Sequence, residues 1–219
     1  MFFNPQGVGQ GRMSKNWMQE RRRDYYYRKA KQLDYRSRAS FKLMQLDERF
    51  SLFKEGMTVV DLGAAPGGWL QVAAERVGPR GRVIGVDLQP IEPLEGVRTI
   101  KGDVRRKEVR EELLSLTGGR VDMVMSDMSP NISGSYSMDH ARSIELCEIA
   151  LAFALETLSP GGSLVFKMFE GDMSRDLVTE VQRHFATVKR YSPQASRASS
   201  SEIYVVAKGF GKGKGGQSG

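Results

Sequence analysis

Residues 59–69 read Val59-Val60-Asp61-Leu62-Gly63-Ala64-Ala65-Pro66-Gly67-Gly68-Trp69, and this is the most informative stretch of the sequence. It begins as a short apolar run, which is typical of a strand buried on both faces of a parallel sheet. It continues through a glycine-rich turn into a helical pattern over Gly67–Val77. Glycines at such a turn let a ligand approach the backbone closely. The stretch therefore predicts a ligand site at the carboxyl end of a buried strand.

Predicted strands alternate with predicted helices along most of the chain. The strands are Met57–Leu62, Arg82–Leu88, Gly96–Gly102, Val121–Asp127, Ser163–Phe169, Thr187–Tyr191 and Ile203–Lys208. The helices are Asp24–Lys31, Ser37–Phe53, Gly67–Val77, Arg105–Leu116, Met138–Leu158 and Ser174–Phe185. This alternation predicts an α/β, Rossmann-like fold with a mostly parallel seven-stranded sheet and helices on both faces. No helix separates the last two strands, so we expect one of them to run antiparallel.

Composition and charge divide the chain into three parts. Of the 219 residues, 40% are hydrophobic, which is enough for one domain with a sizeable core. The net charge is +7, and the whole excess lies in residues 1–55, which hold 13 Lys/Arg against 6 Asp/Glu. We expect a basic N-terminal extension and helix over residues 1–35, a catalytic domain over 36–208, and a disordered Gly/Lys tail over 209–219. The basic segment predicts a surface for a polyanion, although a charge run is also common on a solvated helix.

The sequence also predicts that the chain has no membrane span, no disulfide and no metal site. Its longest apolar runs are too short to span a bilayer, so we expect a cytoplasmic protein with no membrane contact. One cysteine, Cys147, and two histidines leave no disulfide and no ordinary zinc site. We expect no catalytic metal and a monomer.

Three successive strands each end near a carboxylate: Asp61, Asp87 and Asp103. A carboxylate at the entrance to the turn suits a cationic ligand with an amino group, such as S-adenosyl-L-methionine. Asp87 can accept both ribose hydroxyls of an adenosine, and Asp103 a hydrogen bond from the adenine amino group. A nicotinamide cofactor stays open as an alternative because Asp87 suits it equally well. The G-x-x-x-G-G spacing, with Pro66 inside it, argues against a pyrophosphate-binding turn.

The fourth strand ends in Ser126-Asp127-Met128-Ser129-Pro130-Asn131. This is not the Asn/Asp-Pro-Pro-aromatic stretch typical of amine methylation. Carbon methylation of the pyrimidine C5 type needs a cysteine nucleophile, and Cys147 lies within a predicted helix. A hydroxyl group remains as the favoured acceptor.

A weakly acidic hydroxyl needs a base or a set of charges that orients it. Lys167 lies within the apolar run Leu164–Phe169, where a lysine is costly unless it has a role. Lys42 could be a second cation, and Asp127 and Glu202 would balance the charge. The alternatives are ordinary: a lysine at a strand end often reaches solvent, and most residues like Lys42 and Glu202 are simply exposed.

Taken together, these motifs resemble the FtsJ/RrmJ family of ribose 2′-O-methyltransferases, in particular its large-subunit ribosomal RNA group, methyltransferase E. The resemblance runs from about Arg36 to Lys208. It rests on Ser37–Leu43, Val59–Trp69, Met125–Asn131, Phe166–Phe169, Ser196–Ala198 and Glu202–Tyr204.

The resemblance implies a catalytic tetrad of Lys42, Asp127, Lys167 and Glu202, with Lys167 as the proton acceptor. It implies cofactor contacts at Gly67, Trp69, Asp87, Asp103 and Asp127, to which the residues themselves add Asp61 and Gly63. It implies methylation of a uridine in the A loop of large-subunit ribosomal RNA, within the assembled large ribosomal subunit.

We expect the RNA contacts to come from the basic segment, at Arg21, Arg22, Arg23, Arg36 and Arg38. The motifs alone do not separate ribosomal RNA from tRNA or an mRNA cap. A non-catalytic RNA-binding or ribosome-assembly factor is a further alternative, against which the complete tetrad argues.

Overall fold

The structure is a computed structural model that describes residue 28, residues 30–196 and residues 201–212. Its strands are β1 (Thr58–Leu62), β2 (Arg82–Asp87), β3 (Val97–Lys101), β4 (Val121–Ser126), β5 (Leu158–Phe169), β6 (Phe185–Tyr191) and β7 (Glu202–Phe210). They form one seven-stranded sheet in the order β3-β2-β1-β4-β5-β7-β6. The pairs among β1 to β5 are parallel, and β7 is antiparallel to both of its neighbours. The predicted fold class and the antiparallel strand are confirmed.

In the described part of the chain, five longer helices cover the two faces of this sheet. They are α1 (Ala39–Phe50), α2 (Gly68–Val77), α3 (Lys107–Thr117), α4 (Tyr136–Thr157) and α5 (Ser174–His184). Buried residues of α1 and α2 share one hydrophobic cluster, and those of α3, α4 and α5 share another. The sheet therefore separates two cores, as expected of an α/β fold with helices on both faces.

The first strand lies inside the sheet, between β2 and β4, and every residue of β1 is buried. The strands β2 and β3 extend from one side of β1, while β4 and β5 extend from the other. Loops that leave β1 and β4 at their carboxyl ends therefore diverge, and the gap between them is where α/β sheets bind ligands. The glycine-rich turn after β1 lies at this gap.

Several element boundaries differ from the prediction. The strand β5 begins at Leu158, not Ser163, because the backbone pairs with β4 at Val121–Leu158 before Pro160 interrupts the register. The strand β7 continues to Phe210, which is two residues into the predicted tail. The backbone is helical at 28 and 30–32, while the rest of the predicted helix Asp24–Lys31 lies outside the described residues.

The segment just before α1 packs onto α1, α2 and the loop after β6. Ala30 is buried against Phe41 and Ala195. The hydroxyl of Tyr35 donates to Glu75 on α2 at 2.7 Å. None of the helices within the described ranges is long and apolar enough to cross a membrane.

Candidate active site

A cavity of about 640 Å³ opens at the carboxyl ends of β1, β2 and β4. Gly63, Asp87, Asp103 and Asp127 from the predicted site line this cavity. Further lining comes from the loop after β4 and from the inner side of α4, including Met128, Pro130, Asn131, Arg142, Leu146 and Ile149. The structure thus brings four of the predicted cofactor residues to one concave surface, as the strand-end argument expects.

The backbone of the glycine-rich turn is fixed by the second strand. Gly63 has a positive φ of 74°, and a Cβ there would overlap Met128. The N–H groups of Gly63 and Ala64 donate to the carbonyl of Val86. The carboxylate of Asp87 accepts from the N–H of Ala65 at 2.9 Å and from that of Gln89 at 2.8 Å. Asp87 is therefore held in place by backbone donors and has lone pairs left for a ligand in the cavity.

Asp61 is the most unusual group near the cavity. It is 1% exposed, and both of its carboxylate oxygens lack a hydrogen-bond partner in the described part of the chain. Burial raises the pKa of Asp61 well above its usual range, and the negative charges of Asp127 and Asp87 raise it further. A buried carboxylate without donors is costly. The site therefore lacks a positive or hydrogen-bond-donating group that a ligand with an amino group would supply.

Asp103 lies at the far wall of the cavity and is already paired. Both of its oxygens accept from Arg105, with the closest contact at 2.6 Å. The side-chain hydrogen bond from Arg105 holds the pKa of Asp103 below its usual value. A contact between Asp103 and an adenine amino group stays a prediction, and it requires the carboxylate to be shared with Arg105.

Gly67 and Trp69 are not among the lining residues of the cavity. Trp69 is buried, and its indole nitrogen donates to the carbonyl of Ala39 on α1 at 2.9 Å. Its ring also packs near that of Tyr204, with centroids 5.8 Å apart. Trp69 joins α1 to α2, and its predicted contact with the cofactor stays a prediction.

Arg36 fastens the turn before Gly67 to the loop after β2. Its guanidinium donates to the carbonyls of Pro66 at 3.2 Å, Glu92 at 2.6 Å and Pro93 at 2.8 Å. The backbone N–H of Arg36 donates to Gln71 on α2. Sequence reasoning assigns Arg36 to RNA, but here three of its donor contacts are to backbone carbonyls of the turn before Gly67 and of the loop after β2. The one feature of the sequence that could have indicated this structural role is the position of Arg36 just before the motif Ser37–Leu43.

The four residues of the predicted tetrad come together beside the cavity. Lys167 Nζ donates to the Asp127 carbonyl at 2.7 Å and lies 3.2 Å from Asp127 Oδ1. Lys42 Nζ lies 2.5 Å from Glu202 Oε1. Both lysines are 7% exposed, so neither simply reaches solvent. Although burial alone raises the pKa of Glu202, the charges of Lys42 and Lys167 outweigh it and lower that pKa.

Tyr204 connects the two ion pairs, and sequence reasoning missed this role. Its hydroxyl donates to Asp127 Oδ1 at 2.7 Å, accepts from Lys42 Nζ at 3.2 Å and lies 3.4 Å from Glu202 Oε1. Tyr204 is fully buried, which raises its pKa, and the charges of Asp127 and Glu202 raise it further. The phenol therefore stays protonated. Its position opposite Lys167 in the β5–β7 ladder could be found only once that pairing was known.

Neither Cys147 nor the predicted RNA contacts belong to the tetrad. Cys147 is buried in α4, where its thiol donates to the carbonyl of Lys167, and burial raises its pKa to about 12. Such a thiol is a poor nucleophile. Arg21, Arg22 and Arg23 lie outside the described residues, and Arg38 is half-buried at the start of α1. Within the described ranges, no group of three or more His, Cys, Asp or Glu side chains could hold a metal ion.

The sheet order, with its reversal between β1 and β4 and an antiparallel β7 inserted beside β5, is that of the Rossmann-like methyltransferase class of α/β proteins. The FtsJ-like methyltransferase family model matches residues 35–210. The chain therefore belongs to the FtsJ-like methyltransferase family.

Individual relatives agree with this assignment. The chain is 55% identical over 188 residues to the Ribosomal RNA large subunit methyltransferase E of Natronomonas pharaonis, covering 86% of this chain and 74% of that protein. It is 52% identical over 205 residues to the protein of the same name from Methanocaldococcus jannaschii, covering 91% and 84%. A crystal structure described as a ribosomal RNA methyltransferase from Plasmodium falciparum is 29% identical, with a TM-score of 0.73, and covers 81% of this chain and 99% of that one.

The isolated carboxylate of Asp61 makes stability depend on pH. Its pKa is raised in the folded state, so the folded chain retains a proton there that the unfolded chain loses above about pH 4. We expect Asp61→Asn to raise the free energy of unfolding by about 1–3 kcal/mol at pH 8, with the gain shrinking as the pH falls towards 4. Urea unfolding of both proteins between pH 4 and pH 8 measures this.

The matched control is Asp122→Asn on β4. Asp122 is also buried, but it accepts from the N–H of Thr58 at 2.9 Å and from Arg120 at 2.8 Å. This variant should lose stability at pH 8. A loss of stability in Asp61→Asn as large as that in the control would contradict the prediction.

Proposed function

We propose that this chain transfers a methyl group from S-adenosyl-L-methionine to a ribose 2′-hydroxyl of large-subunit ribosomal RNA. The observation that carries the proposal is the buried Lys167 Nζ, held 3.2 Å from Asp127 Oδ1 at the edge of the cavity. A lysine placed this way can orient a hydroxyl and take its proton. The printed names of the relatives, which describe ribosomal RNA large subunit methyltransferases, support the choice of RNA.

The residues present fit S-adenosylmethionine. Asp87 would accept from the ribose hydroxyls, Asp103 would face the adenine, and the unpaired carboxylate of Asp61 would favour the positively charged end of the ligand. When bound, this cofactor supplies an electrophilic methyl group. The negative charges of Asp87 and Asp127 line the cavity, and a cation bound there would also favour ionisation of the buried Asp61, so this complementarity supports the choice of cofactor.

We assign the proton transfer to Lys167 Nζ. In its neutral form this amine can accept the proton of the 2′-hydroxyl, while Asp127 stabilises the ammonium that results. Lys42 and Glu202 neutralise each other, and Tyr204 keeps them in contact with Asp127. The hydroxyl is thereby oriented for attack in a site that excludes most water. Because these groups are coupled, the proton can be shared among them after transfer.

The proposal extends to the nucleotide that is methylated and to the conditions of the reaction. We infer that the target is a uridine of the A loop within the assembled large ribosomal subunit, that the chain acts as a monomer in the cytoplasm, and that no metal takes part. We also infer that Arg21, Arg22, Arg23 and Arg38 contact RNA phosphates, because the basic excess of the chain lies in this segment.

Replacing the proton acceptor tests the reaction directly. Lys167→Ala should lower kcat for methyl transfer by at least about 10²–10⁴-fold, since it removes both proton acceptance and orientation. Cofactor affinity should change little. The measurement is transfer of labelled methyl to large ribosomal subunits lacking the modification, beside naked ribosomal RNA and bulk tRNA. The exposed Lys189 on β6 supplies a control variant, Lys189→Ala.

Each outcome of that assay has a distinct meaning. Full activity of Lys167→Ala would exclude the assigned proton acceptor. Label on tRNA alone would keep the chemistry and overturn the ribosomal substrate. Cofactor binding with no label on any RNA would leave a binding or assembly role instead.

The contacts of Arg36 predict an effect on cofactor binding. Lysine keeps the charge but cannot reach three carbonyls with one ammonium group. Arg36→Lys should therefore raise the Kd for S-adenosylmethionine about tenfold, which corresponds to about 1.4 kcal/mol. Isothermal titration calorimetry measures this, with Arg76→Lys as control because Arg76 forms only a partly exposed ion pair with Asp47. Unchanged cofactor affinity with weakened RNA binding would favour the sequence-based assignment of Arg36 to RNA.

The basic segment predicts a salt effect. Changing Arg21, Arg22 and Arg23 to alanine together should weaken RNA binding and reduce the slope of log Kd against log salt by up to about 3, one unit for each lost phosphate contact. Filter binding across a range of salt concentrations measures the slope. A slope equal to that of the unchanged protein would exclude this segment from the phosphate contacts.

A further inference from the structure

An exposed tyrosine lies at the same edge of the sheet as the tetrad and has no part in the reaction described so far. Tyr136 begins α4, the helix that follows β4, so it lies where the strands end. It is 63% exposed, so most of this large aromatic side chain faces solvent. Exposed aromatic residues next to a functional cavity are a common feature of binding surfaces.

The ring of Tyr136 is held flat on a rigid support. It stacks on His140, one helical turn along α4, with centroids 6.1 Å apart and an interplanar angle of 11°. His140 is only 5% exposed, and its Nε2 accepts from the N–H of Met173 at 3.1 Å. A Cβ on Gly171 would lie only 2.7 Å from the histidine ring, so the loop after β5 presses directly against it. Tyr136 is therefore positioned by a buried, hydrogen-bonded histidine and still exposes most of its side chain.

This support is connected to the tetrad by short contacts. The Tyr136 hydroxyl donates to the carbonyl of Glu170 at 3.4 Å, and the N–H of Glu170 donates to the carbonyl of Ser201 at 2.8 Å. Ser201 directly precedes Glu202 of the tetrad. Glu170 also follows Lys167 by three residues along the chain, a span of about 10 Å in an extended strand. The exposed ring of Tyr136 is thus connected to the segment that follows Lys167 and to the residue that precedes Glu202.

We propose that Tyr136, supported by His140, is a stacking site for a nucleobase of the RNA that flanks the methylated ribose. The inference rests on the proposed function, because it takes RNA as the substrate. Single-stranded RNA is held mainly by stacking of its bases on aromatic rings, and any base offers a face for this. Met173, which is 46% exposed and bonded through its N–H to His140, extends the apolar surface beside the ring.

The test compares variants of Tyr136 in equilibrium binding and in turnover. The RNA is large-subunit ribosomal RNA that lacks the modification, within the assembled large ribosomal subunit. Tyr136→Ala should raise both its Kd and its KM about tenfold, within the range for loss of one stacked base. Tyr136→Phe and Tyr136→Trp should stay within about threefold of the unchanged protein, because both keep a flat ring. The KM for S-adenosylmethionine and the salt dependence of RNA binding should not change. Leu114→Ala, at an exposed apolar residue of α3, is the control.

The outcomes separate this inference from the proposed function. If the unchanged protein methylates RNA and Tyr136→Ala binds RNA as tightly, the stacking site is wrong and the function stands. Equal losses in Tyr136→Phe and Tyr136→Ala would also overturn it, since they would assign the effect to the hydroxyl. If the unchanged protein methylates no RNA, the proposed function fails, and the Kd series alone decides the stacking site. Absence of RNA binding by the unchanged protein overturns both.

Discussion

Two lysines and two carboxylates share a small buried volume at the edge of the sheet, and their mutual neutralisation is the constraint on which the site depends. Lys42 pairs with Glu202, Lys167 pairs with Asp127, and the hydroxyl of Tyr204 touches both pairs. Removing any one charge would leave another buried without a partner, which is far more costly than losing an exposed ion pair. The cluster is therefore stable only when all of its members are in place, and this fixes the geometry that a reacting hydroxyl would meet.

The topology of the sheet follows from the need to bring these groups together. Asp127 and Lys167 lie at or near the carboxyl ends of the parallel strands β4 and β5. Glu202 and Tyr204 come from the beginning of β7, and the beginning of a strand meets those ends only if the strand runs antiparallel. Lys42 comes from α1, which Trp69 fastens to α2 through the carbonyl of Ala39. The reversed strand and the docked first helix are thus both required to complete the cluster.

The sequence predicts the parts of this structure that local pattern controls. Strand–helix alternation and the apolar run at β1 give the sheet, and carboxylates at strand ends give Asp87, Asp103 and Asp127 on one cavity. Features that depend on distant contacts are missed. Tyr204 reads as an ordinary strand aromatic, Arg36 reads as one more basic residue, and the start of β5 at Leu158 contradicts the usual effect of a Pro-Gly-Gly sequence. Each becomes visible only when residues far apart in the chain are paired.

The tetrad side and the cavity side of the site differ in whether their charged groups have partners within the described part of the protein. On the tetrad side, the described charges and hydroxyls have partners within the protein, so that side is preorganised and close to neutral. On the cavity side, Asp61 is buried without a donor, and the negative charges of Asp87 and Asp127 raise its pKa. A cation is stabilised more on the cavity side than on the tetrad side. A neutral hydroxyl is destabilised least on the tetrad side. This asymmetry alone would direct a positively charged methyl donor and a neutral acceptor to opposite sides of Asp127, which is the residue that both sides share.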